Sequence, residues 1–330
     1  MKRRLLILTA VMLLARGALG APVLLNASYD VMRDFYKDYN PLFQKAWRAK
    51  SGETVTVQQS HGGSSKQILA VVNGLPADVV TMNQASDIDV LATRHLLAAN
   101  WAQRFPDHSV PFTSTMVLLV RKGNPKHIRD WPDLARPGVQ VILANPKTSG
   151  NGRYGYLSAW AWALRQPGGS DARARQLVGH ILANVPLLDG GGRAATTTFM
   201  QRQIGDVLIT FENEAEMISR EFGRGQFELV YPTLSARADN PVAVVDSVVD
   251  KKGSRRQAQA YLDYLWSPEA QALAARYFLR PANPQVAARY AAQFPYARTF
   301  DVPSVFGSWQ SAMQKHFADG GEFDRLMAHK

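Results

Sequence analysis

Four junctions between a β-rich run and a helical pattern dominate the sequence, and each carries small or acidic residues where the helix is expected to begin. The junctions are PVLLNASYD (22–30), TVTVQQSHGGSS (54–65), VQVILANPKTSGN (139–151) and VPLLDGGGR (185–193). Aspartate, serine and glycine are favoured at helix N-termini. Short β runs alternating with helical patterns along a chain are typical of an α/β fold with largely parallel sheets. We therefore predict that architecture.

Glycine and serine at such junctions suit an anion better than any other ligand. Glycine allows a ligand to approach the backbone closely, and the first N–H groups of a helix have no partner within the helix. The helix N-terminus also carries partial positive charge. Because the carboxyl ends of strands in α/β sheets meet at one edge, several such helices can converge. The four junctions together predict a cradle for an anion, made of backbone N–H groups.

Sequence motifs typical of nucleotide binding and of catalysis are incomplete or absent. The segment GNGRYG (150–155) matches G-x-G-x-x-G but is not followed by an acidic residue at a strand end about 20 residues later. There is no G-x-x-x-x-G-K-[ST] phosphate loop and no G-x-S-x-G nucleophile elbow. The sequence has no cysteine, which excludes disulfides, thiolate metal sites and cysteine nucleophiles. We predict no cofactor, no metal and no enzymatic activity.

The net charge favours small anions over nucleic acids. The 330 residues carry a formal charge of +11, with 46% hydrophobic and 20% charged residues. The basic start of the chain, MKRRLLILTAVMLLARGALG, is predicted to be a secretory signal peptide spanning residues 1–20. Its removal takes away four cations and no acids, so the charge falls from +11 to +7. The remaining basic residues are scattered, so we expect no nucleic-acid binding. Because of the predicted signal peptide, we expect the protein to be exported to the periplasm.

The junctions and their neighbours resemble one known family. LLNASYD (24–30), QQSHGGSSKQ (58–67), NPKTSGNGRY (145–154), GGRAATTTF (191–199) and GDVLITFENE (205–214) are similar to segments of the sulfate- and thiosulfate-binding receptors of ABC importers. The similarity covers nearly the whole chain after residue 20. It is strongest to the thiosulfate-binding branch, through SSKQ, TSGNGRY and ITFENE.

The resemblance implies a type II periplasmic binding protein, an α/β fold of two lobes joined by two crossover hinge strands. The crossings are expected near residues 114–124 and 239–247. Lobe one would then comprise residues 22–112 and 240–330, and lobe two residues 113–239. The ligand would bind between the lobes, which close on it.

The resemblance also implies a set of ligand contacts. The matching contacts are backbone N–H groups, one hydroxyl and one aromatic position: Asp30, Ser64, Gly150, Asn151 and Gly192 for the backbone, Ser149 for the hydroxyl, and Phe211 for the ring. Three of these depart from the sulfate branch. Asn151 stands where glycine is usual, Gly192 where alanine is usual, and Phe211 where a tryptophan would donate a hydrogen bond. A phenyl ring donates none, which favours thiosulfate with its softer terminal sulfur.

Three charged or titratable residues are expected behind the ligand rather than on it. His61 directly precedes the two glycines of the second junction, Arg153 follows the third junction, and Arg193 directly follows the glycines of the fourth. We expect the two arginines to pair with carboxylates such as Glu212 or Glu214, and the Asp30 side chain to cap its own helix. With no titrating group on the ligand, affinity is expected to be flat between pH 5 and 8.

These expectations describe a monomeric receptor that carries thiosulfate, and sulfate as well, to an inner-membrane ABC permease and its ATPase. A receptor for another tetrahedral oxyanion, molybdate or phosphate, is the alternative. A phosphate receptor needs a buried acceptor for the proton of its ligand, and Asp30 is the only carboxylate near the junctions that could provide it.

Overall fold

The computed structural model describes residues 22–221 and 225–328. The predicted signal peptide, residues 1–20, lies outside the described residues. The strands are β1 (Val23–Tyr29), β2 (Thr56–Gly62), β3 (Val79–Thr81), β4 (Phe112–Arg121), β5 (Val141–Ala144), β6 (Leu188–Asp189), β7 (Val207–Phe211), β8 (Phe227–Val230), β9 (Ser235–Asp239), β10 (Val242–Val244), β11 (Arg280–Pro281) and β12 (Thr299–Phe300).

Helices cover both sheets. They are α1 (Arg33–Ser51), α2 (Ser64–Val72), α3 (Ala85–Thr93), α4 (Pro106–Ser109), α5 (Gly150–Leu164), α6 (Asp171–Ala183), α7 (Gly192–Met200), α8 (Glu212–Glu221), α9 (Asp246–Lys252), α10 (Arg255–Asp263), α11 (Pro268–Arg276), α12 (Pro284–Arg289), α13 (Val302–Phe306), α14 (Trp309–Ala312) and α15 (Glu322–Ala328). In the described part of the chain, no helix is long and apolar enough to cross a membrane.

The first sheet has the strand order β10-β3-β1-β2. Strands β1, β2 and β3 run parallel to one another, and β10 runs antiparallel to β3. Central strand β1 is buried over most of its length, because helices pack on both faces. Its face toward α2 and α3 carries a cluster that includes Ala27, Ile68, Val80 and Ile88. This sheet defines the first lobe.

The second sheet has the order β12-β9-β4-β7-β5-β6, with β8 and β11 also paired to β4. Strand β5 runs parallel to both of its neighbours, β6 and β7, whereas β4 runs antiparallel to β7 and to β9. Helix α5 is buried almost all round, and its Trp160 is fully buried. This sheet defines the second lobe.

The chain passes between the lobes at two adjacent places. Strand β4 leaves the first lobe at Phe112, and its start pairs with the end of β9, Thr113 opposite Asp239. The chain returns through Asn240 and Pro241 into β10 of the first sheet. Both passages lie next to the expected crossings. Because the start of β4 pairs with the end of β9, the two connections form a short antiparallel ribbon.

The C-terminal segment departs from the expected division of the chain. Strand β12 pairs with β9 of the second sheet, and α15 packs on α6, while α14 also contacts α3 of the first lobe. Tyr156 of α5 lies with its ring 5.2 Å from that of Phe317, and Arg175 of α6 donates two hydrogen bonds to Glu322, at 2.9 and 2.8 Å. Residues 299–328 thus belong by contact with the second lobe, although they were expected in lobe one. Sequence reasoning missed this third passage because no junction marks it.

Candidate anion-binding site

The four junctions meet between the lobes. β1 and β2 are adjacent parallel strands of the first sheet, and β5 and β6 are adjacent parallel strands of the second. After them, a 3-10 turn that leads into α1 begins at Asp30, α2 begins at Ser64, α5 at Gly150 and α7 at Gly192. Each lobe therefore contributes two helix starts, and direct contacts join them.

Two hydrogen bonds connect the helix starts across the cleft. The N–H of Gly150 donates to Ser64 Oγ at 3.0 Å, and the N–H of Arg193 donates to Asp30 Oδ2 at 3.1 Å. The second bond shows that the Asp30 carboxylate reaches across to α7 of the other lobe, besides bonding the backbone of its own turn. The expectation that it only caps its own helix was therefore too narrow.

Two glycines are required by the close approach of the lobes. A Cβ on Gly63 would lie 2.7 Å from the carbonyl oxygen of Thr148 and 2.9 Å from that of Gly190, both in the second lobe. A Cβ on Gly150 would overlap the side chain of Asn83 in the first lobe. Any larger residue would hold the lobes apart at these points, so the glycines serve both the turn and the closure.

None of the four helix starts is capped by the side chain of its N-cap residue. Helices α6 and α11, by contrast, begin with Ser170 and Ser267 accepting a backbone N–H. Ser149, the N-cap residue of α5, is 2% exposed and extended, and its hydroxyl makes no capping bond. One N–H at the start of α5 and one at the start of α7 are bonded across the cleft. Since orphan N–H groups of a helix terminus need partners, the remaining N–H groups at the four starts can serve an anion placed between them.

Phe211 lies at the end of β7 in an aromatic corner of the same region. Its ring is buried and meets the ring of Tyr29 edge-on, with 6.2 Å between the ring centroids, and that of Tyr154 at 5.9 Å. Tyr29 immediately precedes Asp30 in the first lobe, so the corner is built by both lobes. It presents an apolar edge rather than a donor.

Asn151, the second residue of α5, is 1% exposed, and its Nδ2 donates to Thr210 Oγ1 at 3.1 Å. Gly192 lies beside it, because a Cβ on that glycine would stand 3.2 Å from Asn151 Nδ2. Two of the three positions expected to depart from the sulfate branch, Asn151 and Gly192, therefore lie next to each other. The missing methyl group at residue 192 leaves room for the asparagine side chain.

Two carboxyl groups near the helix starts have shifted acidities. Burial raises the pKa of Asp30, although the N–H of Arg193 and those of its own turn oppose the rise. Burial also raises the pKa of Glu214 to about 7, against the opposing effects of the Arg193 guanidinium and of the Thr196 hydroxyl, which donates to it at 2.8 Å. Arg193 Nη1 lies 3.5 Å from the Glu214 carboxylate, the pairing expected from the sequence.

Arg153 pairs with a different carboxylate from those expected. Its guanidinium lies 3.3 Å from Asp87 of α3, and it also donates to the carbonyl of Pro146 at 2.8 Å. Glu212 instead binds Arg280, at 2.7 Å. Both Arg153 and Asp87 are nearly fully buried, and they belong to different lobes. The predicted partners Glu212 and Glu214 were wrong for Arg153, because its carboxylate partner lies on α3, in the other lobe.

His61 lies near the end of β2, opposite Ser28 of β1. Burial, helped by the nearby Arg33, lowers the pKa of His61 to about 4, so the ring is neutral at physiological pH. Its Nδ1 is buried and finds no partner among residues 22–221 and 225–328. The histidine adjoins the second junction, as expected.

Sequence reasoning missed two residues that line the same region. Asn83 follows β3, the strand next to β1, and its side chain meets the start of α5. Thr210 holds the Asn151 amide. A polar residue directly after a buried strand is the signal that could have identified Asn83, since β3 ends at the same edge of the sheet.

The fold defines a two-lobed binding protein, and four helix N-termini meet between its lobes. A family model described as bacterial extracellular solute-binding protein matches residues 24–280. The chain belongs to this family of binding proteins and is not an enzyme.

Named relatives agree with this assignment. The chain is 61% identical to the thiosulfate-binding protein of Pseudomonas aeruginosa over 97% of its length and 96% of the relative's. It is 49% identical to the sulfate-binding protein of Salmonella typhimurium, with 92% of each chain covered. Among solved structures, the sulfate-binding protein SubI of Mycobacterium tuberculosis superposes with a TM-score of 0.81 at 31% identity, covering 90% of this chain and 99% of that one. The predicted family and fold are confirmed.

Proposed function

We propose that the protein is a periplasmic receptor that binds thiosulfate, and sulfate as well, and delivers it to an inner-membrane ABC permease and its ATPase for sulfur uptake. The observation that carries this proposal is the meeting of four helix N-termini, two from each lobe, none of them capped by its N-cap side chain. The relative named as a thiosulfate-binding protein, 61% identical over nearly the whole chain, supports the choice of ligand.

The proposed contacts are the backbone N–H groups of Asp30, Ser64, Gly150, Asn151 and Gly192, the hydroxyl of Ser149, and the ring of Phe211. A buried ion is costly unless it is fully hydrogen-bonded. Each hydrogen bond to a charged group contributes about 1.5–3 kcal/mol, so six such bonds suffice for micromolar affinity or better. Two helix starts come from each lobe, so neither lobe alone supplies all the donors, and binding and closure are one event.

Other parts of the proposal follow from the same assignment. The protein acts as a monomer, residues 1–20 direct export and are removed, and His61, Arg153 and Arg193 stabilise the site from behind. The proposed lobes are residues 22–112 with 240–298, and 113–239 with 299–328.

A second candidate is a receptor for a protonated tetrahedral oxyanion such as phosphate. The observation that favours it is the buried Asp30 carboxylate, whose raised pKa suits sharing a proton with a ligand. Molybdate, which has no proton to share, is the other alternative ligand and is included in the titration below. The fold alone does not separate these ligands, since one architecture serves many solutes.

Calorimetric titration of the mature protein with thiosulfate, sulfate, phosphate and molybdate tests the proposal. We expect tight one-to-one binding of thiosulfate, measurable binding of sulfate, and no competition from excess phosphate. Binding of phosphate in preference to both sulfur oxyanions would assign the site to the second candidate. Stimulation of the permease's ATPase by the loaded receptor would test delivery.

A further inference from the structure

The Asn151 side chain carries the most informative unpaired polar group in the site region. Its Oδ1 is buried and has no hydrogen-bond partner in the described part of the chain, while its Nδ2 lies 3.1 Å from Thr210 Oγ1. Thr210 is itself fully buried. Buried polar groups are almost always paired, so an orphan atom at this place needs an explanation.

Rotating the Asn151 side-chain amide by 180° gives the Thr210 hydroxyl proton an acceptor, although one end of the amide still lacks a partner. The carbonyl and NH₂ ends of an asparagine are nearly equal in size, and their assignment follows from the hydrogen-bond network. With the ends exchanged, the Thr210 hydroxyl donates its proton to Oδ1, and Nδ2 becomes the free end. In the original orientation the free end is an acceptor, and the Thr210 proton also lacks an acceptor among the described residues. The rotated form leaves only N–H donors without a partner.

The position of this amide decides what the free donor can reach. A Cβ on Gly192, the first residue of α7, would lie 3.0 Å from Val31 Cγ2, 3.2 Å from Asn151 Nδ2, the end that Thr210 holds, and 3.4 Å from the amide carbon Cγ, so these distances locate the amide group as a whole. Val31 directly follows Asp30 in the first lobe. The amide therefore stands where the starts of α5 and α7 meet the first lobe. On this side of the cleft Phe211, the residue after Thr210, offers only a phenyl ring.

We propose that the Asn151 side chain, with its amide rotated, donates an N–H to the bound tetrahedral oxyanion in addition to the backbone N–H of the same residue. This inference rests on the proposed function. An anion accepts from an N–H and repels a carbonyl oxygen, so ligand binding itself favours the rotated form. The amide thereby supplies the donor that the Phe211 ring cannot.

Asn151→Ala tests the role, because it removes the amide and keeps the backbone N–H. A lost bond to a charged group lowers affinity for thiosulfate and sulfate by roughly tenfold or more. Asn151→Asp should weaken both further, since it places a carboxylate oxygen against a dianion. Asn184→Ala is the matched control: its half-buried amide also donates two hydrogen bonds, to the carbonyls of Leu134 and Arg136 at 2.8 Å, at the C-terminal end of α6, away from the four helix starts. We expect it to bind as the parent does.

The outcomes are distinct. If Asn151→Ala binds as tightly as the parent or more tightly, the free end is the carbonyl and the inference is overturned. An equal loss in Asn184→Ala would also overturn it, because the effect would then reflect general destabilisation. If the parent binds none of the four oxyanions, the proposed function fails first and takes this inference with it.

A second measurement does not depend on variants folding. In the parent protein with ¹⁵N-labelled asparagine, addition of thiosulfate should shift one side-chain NH₂ resonance strongly downfield, as expected for a new bond to an anion. The shifted resonance should be absent from Asn151→Asp. If every asparagine side-chain resonance stays in place at saturation, the amide does not contact the ligand and the inference falls.

Discussion

Glu214 should make both stability and anion affinity depend on pH. Its carboxyl is 3% exposed, and burial raises its pKa from 4.5 to about 7. The groups that face it are the Arg193 guanidinium, the Thr196 hydroxyl and, at longer range, the Asp30 carboxyl. The sequence alone predicted a flat affinity between pH 5 and 8, because it gave no sign that this glutamate is buried beside α7.

The direction follows from proton binding. Between pH 4.5 and 7 the folded protein holds a proton on Glu214 that the unfolded chain has lost, so stability falls as pH rises through this window. One pKa unit corresponds to about 1.4 kcal/mol, which gives at most about 3 kcal/mol for this group. His61 acts in the opposite sense, because its lowered pKa of about 4 costs stability as pH falls below 6.5. Above pH 6.5, therefore, Glu214 still makes stability depend on pH, whereas His61 does not.

Affinity should follow the same direction. Thiosulfate and sulfate are dianions from pH 6 to 9, so any change in this range comes from the protein. A bound dianion opposes ionisation of Glu214, and affinity should fall roughly tenfold between pH 6 and 8.5, the equivalent of one pKa unit of coupling.

Calorimetry of thiosulfate binding at pH 6, 7 and 8.5, in parent and Glu214→Gln, measures this coupling. The variant should lose most of the pH dependence, because its amide cannot ionise. Glu228→Gln changes an exposed carboxylate that accepts the N–H of Gly123, and it should keep the parent's profile. The reasoning would be refuted if the parent's affinity for thiosulfate did not change with pH, or if Glu214→Gln kept the parent's full pH dependence.

Three further variants address the donors, the closure and the ligand preference. Gly150→Pro removes the N–H of the first residue of α5, a position where proline is tolerated, and adds a Cβ that would overlap Asn83 of the first lobe. It should abolish binding for both reasons; normal melting with parent-like affinity would exclude this turn from the site. Asp87→Asn leaves the Arg153 guanidinium unpaired only while the lobes are closed, so affinity should fall at least tenfold while the ligand-free melting temperature changes little. Phe211→Trp adds an N–H donor and should shift the ratio of dissociation constants toward sulfate by roughly tenfold, measured by competition calorimetry. An unchanged ratio would show that residue 211 does not set the preference.

The local parts of the site could be predicted from sequence. Asp30, Ser64, Gly150 and Gly192 begin their helices because small and acidic residues after a β run mark helix starts. The adjacency of the two strands in each pair follows from the rules of parallel sheets. Local chemistry and general topology were enough for these residues.

The contacts between residues far apart in the chain could not be predicted. The partner of Arg153 is Asp87, 66 residues away in the chain, and the pairing exists only because α3 meets α5 across the cleft. The packing of residues 299–328 on the second lobe is another case, since Phe317 and Phe323 look like ordinary core residues in the sequence. Long-range pairing leaves no local pattern to recognise.

The same contacts explain why a site of backbone donors can discriminate at all. N–H groups at helix starts recognise charge and size, and they are identical whatever side chain follows them. Discrimination must therefore come from the few side chains that border the ring of donors. Asn151 and Phe211 lie on one side of that ring, and Asp30 with Glu214 lie beside it. On the proposed binding mode, the first pair would determine whether the last position of the ligand meets a donor or an apolar edge, and the second would determine whether a proton accompanies the ligand. Substitutions at these four residues should alter which oxyanion is bound and at what pH, while the glycine junctions, which set only the approach of the lobes, should alter whether any oxyanion is bound.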